Sequence, residues 1–180
     1  MLLALSAVLA VTLSFAPPAA PARSRGRLDA ARIDALLTSP TRRIRAVEPA
    51  VASLLAAGLH RSYTFGQLVE TIEASDLIVY IVMESELPNT LAGRLMIVPG
   101  PHEQRYLRIQ VATHGTDEDA IATIAHELRH AVEVAEFPDV RDEPALAALY
   151  RRIGHSAGGP HQFDTLAARD TGRAVRNELG

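Results

Sequence analysis

Apolar residues recur along this chain with different periods, and each period predicts a different element. In residues 116–137, Ile121, Ile124, Leu128, Val132 and Ala135 fall within one narrow arc at about 100° per residue, the stripe of a long amphipathic helix. Thr116 and Asp117 start it, with Glu118 and Asp119 placing negative charge where the helix dipole favours it. Residues 77–83, LIVYIVM, are continuously apolar, as in a strand covered on both faces, and residues 93–98, GRLMIV, make a second strand-like run. Residues 106–111 alternate Leu107, Ile109 and Val111 with Tyr106, Arg108 and Gln110, the period of two of a third strand. Prolines and glycines at 87–90 and 99–101 punctuate the three, and such short connections predict an antiparallel or mixed three-stranded sheet.

Further helices are predicted on either side. Residues 28–37 form a short amphipathic one that ends before Ser39-Pro40. Residues 49–59 open on a proline suited to a first helical position, and Thr64-Phe65-Gly66-Gln67 resembles a capping box that starts another helix through Ile72. Two more are expected over residues 143–153 and from about Phe163 to Leu179, separated by the loop GHSAGGPH. The sum is an α+β fold, a small three-stranded sheet packed on the long helix with additional helices at both ends.

Composition narrows the picture. The 180 residues, 48% hydrophobic and 22% charged, suit one globular domain, expected over residues 49–180. Residues 1–22 carry no charged side chain, and their apolar run precedes Ala20-Pro21-Ala22, which predicts a signal peptide cleaved near Ala22. The mature protein is then expected to be secreted or periplasmic, with no stable membrane association. Residues 23–48, rich in arginine, are expected as an arm or a loosely docked first helix. A net charge of −3 with scattered arginines gives no electrostatic footprint for nucleic acid. The absence of cysteine excludes disulfides, thiolate metal sites and a cysteine nucleophile, and the absence of lysine excludes Schiff-base catalysis. Any metal must therefore be held by histidine, aspartate or glutamate.

That chemistry is present on the long helix. His126-Glu127-Leu128-Arg129-His130 spells H-E-x-x-H, which places two imidazoles one turn apart with a carboxylate at their flank. His126, His130 and Glu133 fall opposite the apolar arc, whereas histidines used only for packing would fall within it. Glu127, about 100° around from His126, can reach a metal-activated water as general base without being a ligand. Three candidates compete for a third ligand. Asp164, at the start of the last predicted helix, is the stronger; its ordinary alternative is a helix N-cap. His161 lies three residues before it, and Glu133 shares the histidine face but sits a further turn along, as a partner of a ligand or a surface residue. His155, Tyr150 and Arg169 are candidates for oxyanion stabilisation that spacing does not separate, and His60, His102 and His114 read as surface residues.

The run TIAHELRHAVEVAE, preceded by strands and followed by an acidic residue on another helix, resembles the zincin metallopeptidases, in particular the gluzincin type. Glu133 and Glu136 stand where the metzincin subclass needs a glycine and a third histidine, which rules that subclass out. Ala168 stands where a gluzincin has a companion acid four residues beyond its third ligand. The layout is also similar to small secreted bacterial proteins of unassigned function with the run S-D-x-I-V-Y, here residues 75–80. The resemblance implies zinc held by His126, His130 and an acidic residue, hydrolysis of a peptide or protein substrate with Glu127 as base, and a strand within residues 93–111 that pairs with the substrate backbone. Two other outcomes remain consistent with the residues. One is a metal-binding or interaction module without catalysis, the other a zinc amidase acting on cell-wall crosslinks.

Overall fold

The computed structural model describes residues 27–156 and 163–180. The expected signal peptide and His161 lie outside the described residues. The chain is a mixed α/β protein with six helices and a four-stranded mixed sheet among the described residues. The order is α1 (Ala30–Thr38), β1 (Ile44–Ala46), α2 (Pro49–Arg61), α3 (Tyr63–Glu73), β2 (Leu77–Glu84), β3 (Gly93–Val98), β4 (Arg105–Ala112), α4 (Asp117–Ala135), α5 (Glu143–Ile153) and α6 (Leu166–Leu179). A two-residue ribbon, β5 (His155–Ser156) against β6 (Phe163–Asp164), lies between the last two helices. No helix among the described residues is long and apolar enough to cross a membrane.

The three expected strands form, but not as an antiparallel meander. The sheet order is β1-β2-β4-β3, with β1 and β4 parallel to β2 and only β3 antiparallel, paired to β4. Burial explains this arrangement. β2 and β4 hold Leu77, Val79, Ile81, Leu107, Ile109 and Val111 at no more than 1% exposure, so they take the centre, where both neighbours are strands. β3, half-exposed and carrying Gly93 and Arg94, takes an edge. The fourth strand, β1, is three residues long, too short to show a period.

That strand also corrects the expected arm. From Ala30 onward the arginine-rich stretch contributes α1 and β1, and Ile33 and Ile44 are buried in the common core. The cap of α3 is corrected as well. Ser62, not Thr64, accepts the hydrogen bond from Phe65 N, while Thr64 is inside the helix and its Oγ1 donates to Glu178. The Glu178 carboxylate also accepts from Thr64 N, so an anion from the last helix sits at the amino end of α3.

α4 packs on the inner face of β2, β3 and β4, and α2, α3 and α6 close around it. Ile121, Ile124 and Leu128 are fully buried, as the stripe predicts. The run Ser75-Asp76 has a structural role at the end of α3. Ser75 Oγ donates to Ile72 O and accepts from Leu77 N, and Asp76 grips the buried Arg105 through two bonds of 2.8 and 2.6 Å. Arg105 Nη1 in turn donates to the carbonyls of Val134, Phe137 and Val140, which ties the carboxyl end of α4 to the sheet.

Candidate metal centre

The helix that carries the histidines is firmly started. Thr116 and Asp119 form a reciprocal capping box, the threonine hydroxyl accepting from Asp119 N at 3.2 Å and the Asp119 carboxylate from Thr116 N at 3.0 Å. Ten residues on, His126 and His130 stand one turn apart with ring centroids 5.0 Å apart and planes at 76°.

The remaining group arrives from the other side of the cleft. α6 crosses close to α4 at Gly172, where a Cβ would stand 3.3 Å from Ala122 O and 3.5 Å from His126 Cβ. This close approach places the chain ahead of α6 over the histidines. Asp164 Oδ1 lies 3.3 Å from His126 Nε2 and 3.7 Å from His130 Nε2. One ligand atom from each of the three lies within 4.8 Å of the others, a cluster that could hold a metal ion.

The structure separates the competing roles. Asp164 is not the N-cap of α6: that residue is Thr165, whose Oγ1 accepts from Ala168 N. The last helix begins at Leu166, three residues later than expected, because Phe163 and Asp164 are extended and paired with Ser156 and His155. Glu133 points at the back of the site. Its Oε2 lies 2.9 Å from His130 Nδ1, and its Oε1 accepts from the Thr165 hydroxyl at 2.7 Å. In neutral His130 that contact favours hydrogen on Nδ1, with Nε2 directed at Asp164. Thr165 thus caps α6 and fixes Glu133 at once, a link between distant segments that spacing does not reveal. The i,i+3 relation of His130 and Glu133 was the one available signal.

The structure also places the three residues named for oxyanion stabilisation. Tyr150 is buried; its hydroxyl donates to His130 O at 3.1 Å and its ring meets that of His130 edge-on, so it positions the histidine. Arg169 Nε donates to Asp164 Oδ2 at 2.7 Å and orients that carboxylate. His155 is exposed, as are His60, His102 and His114.

The electrostatics follow from burial and pairing. Burial pushes His126 below its usual range, and the charge of His130 adds to this. Burial also opposes protonation of His130, but its contacts with Asp164 and Glu133 prevail and raise it to about 9. Asp164, despite the opposing effect of burial, is held well below the usual carboxylate range by His130, Arg169 and His126. Glu127 is 6% exposed and burial raises its carboxyl to about 7, Asp164 adding to the shift and His130 resisting it. Among the described residues the Glu127 carboxylate accepts no hydrogen bond. It lies under β3, where a Cβ on Gly93 would stand 3.2 Å from its Oε1.

A cleft of about 1690 Å³ opens over these groups, walled by β3, α4, α5 and α6 and lined among others by Gly93, Leu95, Tyr150 and Arg173. His126, Glu127, His130 and Asp164 all border it. No known protein family matches the chain, and neither a curated protein nor a solved structure does.

Proposed function

We propose that the chain is a zinc-dependent peptidase of the zincin type, with His126, His130 and Asp164 as ligands and Glu127 as general base. The observation that carries the reading is the meeting of Asp164 with the Nε2 atoms of both histidines, beside a buried carboxylate that faces the same cleft. Two imidazole nitrogens and one carboxylate oxygen are the number and kind of protein donors that a catalytic zinc takes. The Glu133 contact on His130 Nδ1 is the support that such a ligand requires, and Arg169 gives Asp164 the same support. A zinc ion held by these residues would polarise a peptide carbonyl and acidify a water molecule.

The chain's own groups supply the rest. Glu127, buried beside the histidines and bordering the same cleft, is placed to take a proton and to return it to the leaving amine nitrogen. β3, an edge strand beside the cleft, has backbone groups available to hold an extended peptide by strand addition. Gly93 lets that strand lie against Glu127, since a side chain there would collide with Thr123.

The reading is tested by zinc content and peptide cleavage together. Wild type should hold one zinc per chain and cut a mixed peptide library. His126→Ala should lose the metal. Glu127→Gln should keep it and lose about 10²- to 10⁴-fold in rate, the usual contribution of a general base. A wild-type protein without stoichiometric zinc would end the proposal.

A further inference from the structure

The sheet edge that borders the cleft is not open along its whole length. In the ladder between β3 and β4, Ala112 N donates to the carbonyl of Ala92, the residue directly opposite it. Antiparallel pairs alternate, so Ala92, Arg94, Met96 and Val98 bond inward, while Gly93, Leu95 and Ile97 turn their N–H and C=O groups to the free edge. At Ile97 that outward N–H is already taken, by Oε1 of Glu143 at 3.2 Å. Glu143 is the first residue of α5, and it lines the cleft together with Pro144. The opposite end of the edge, Gly93, lies against Glu127. The four residue steps from Gly93 to Ile97 span about 13 Å of extended strand.

We propose that Glu143 closes the substrate-binding edge and receives the free α-amino group of a peptide, so that the site removes short pieces from the amino ends of its substrates. This rests on the peptidase reading above. A peptide laid along Gly93 and Leu95 reaches Glu143 about three or four residues from Glu127, which limits the fragment on that side to roughly two to four residues. The carboxylate decides which end of the peptide lies there. It attracts an ammonium group and repels a terminal carboxylate, so the peptide runs antiparallel to β3 with its amino end at Ile97. In the reaction one water adds across one C–N bond; its proton passes through Glu127 to the leaving nitrogen, and the products are a short peptide acid and a shortened chain with a new amino end.

The test compares peptides of about a dozen residues, each with a free or an acetylated amino end, on zinc-loaded wild type and Glu143→Gln, with product masses recorded. Wild type should release amino-terminal pieces of about two to four residues, and acetylation should lower kcat/KM by up to about fivefold, the worth of one exposed ion pair. Glu143→Gln, checked by thermal unfolding to be folded, should treat the two peptides alike. Binding of the same peptides to Glu127→Gln, followed by fluorescence anisotropy, reads the preference without catalysis and should show the same ratio, lost in Glu127→Gln/Glu143→Gln. Cleavage scattered along the peptide, or equal treatment of free and acetylated ends by wild type, overturns the proposal for Glu143. A wild type that cuts no peptide overturns the peptidase reading, and the binding ratio alone then decides whether Glu143 recognises amino ends.

Discussion

Two charged constellations flank α4, and they are built on opposite plans. At the carboxyl end of the helix, Arg105, 3% exposed, directs its guanidinium to the Asp76 carboxylate and to three backbone carbonyls. Every nitrogen has an acceptor, and Arg105 is not among the residues that line the cleft over the histidines. On the side of the helix, His126, His130 and Asp164 converge as a cluster that could hold a metal ion, and among the described residues the Glu127 carboxylate beside them accepts no hydrogen bond. A cluster that only holds a fold together saturates its donors and acceptors. A cluster arranged for chemistry has capacity left over, turned toward a cleft.

The contrast can be broken from either side. The largest effect on stability is expected from Arg105→Met, which leaves buried carbonyls at the end of α4 without a donor and should cost about 3 kcal/mol in chemical denaturation. Zinc affinity per folded molecule should be unchanged. Next comes Glu133→Gln, which weakens the contact on His130 Nδ1. Zinc affinity should fall about 10- to 100-fold by competition with a chelator, while the unfolding midpoint of the metal-free protein moves little. If instead stability collapsed and affinity held, Glu133 would belong with the closed cluster. Tyr150→Phe removes one hydroxyl donor to His130 O and should cost about 1 kcal/mol, read from the same denaturation curves.

The smallest effect is expected from acid. Arg105 lowers the carboxyl of Asp76 below its ordinary value of 3.8, burial opposing the shift. A depressed carboxylate stabilises the folded state above that ordinary value, and the contribution is lost as the pH falls through the folded one. Wild type should therefore lose stability below about pH 4 more steeply than Arg105→Met, in which the pair no longer exists. Equal slopes would show that Asp76 adds nothing to the closed cluster.

Elements with a repeated local pattern were legible in the residues. The stripe from Ile121 to Ala135 and the alternation from Tyr106 to Val111 place α4 and β4, and the H-E-x-x-H spacing places both histidines and Glu127 on one turn and a half of helix. β1 and the ribbon of β5 and β6 escaped because two or three residues cannot display a period. The strand order escaped because adjacency in sequence favours a meander, whereas the placement of β2 and β4 at the centre, each between two strands, is a property of the whole chain. The cap at Ser62 escaped for a related reason: Thr64 has the right chemistry, but Glu178, more than a hundred residues away, claims its hydroxyl.

The sequence by itself therefore determined the central helix, its two histidines, the flanking carboxylate and the requirement that any metal be met by histidine, aspartate or glutamate. These depend on spacing within a few residues, which helical geometry converts directly into direction. Only the tertiary structure chose among the partners. Asp164 could have capped a helix, and Glu133 could have faced solvent. The close crossing of α6 at Gly172 and the Thr165 hydroxyl turned the first toward His126 and His130 and the second onto His130 Nδ1. Contacts between segments thirty or more residues apart carry no periodic signature, because what fixes them is the packing of complete elements rather than the order of residues within one.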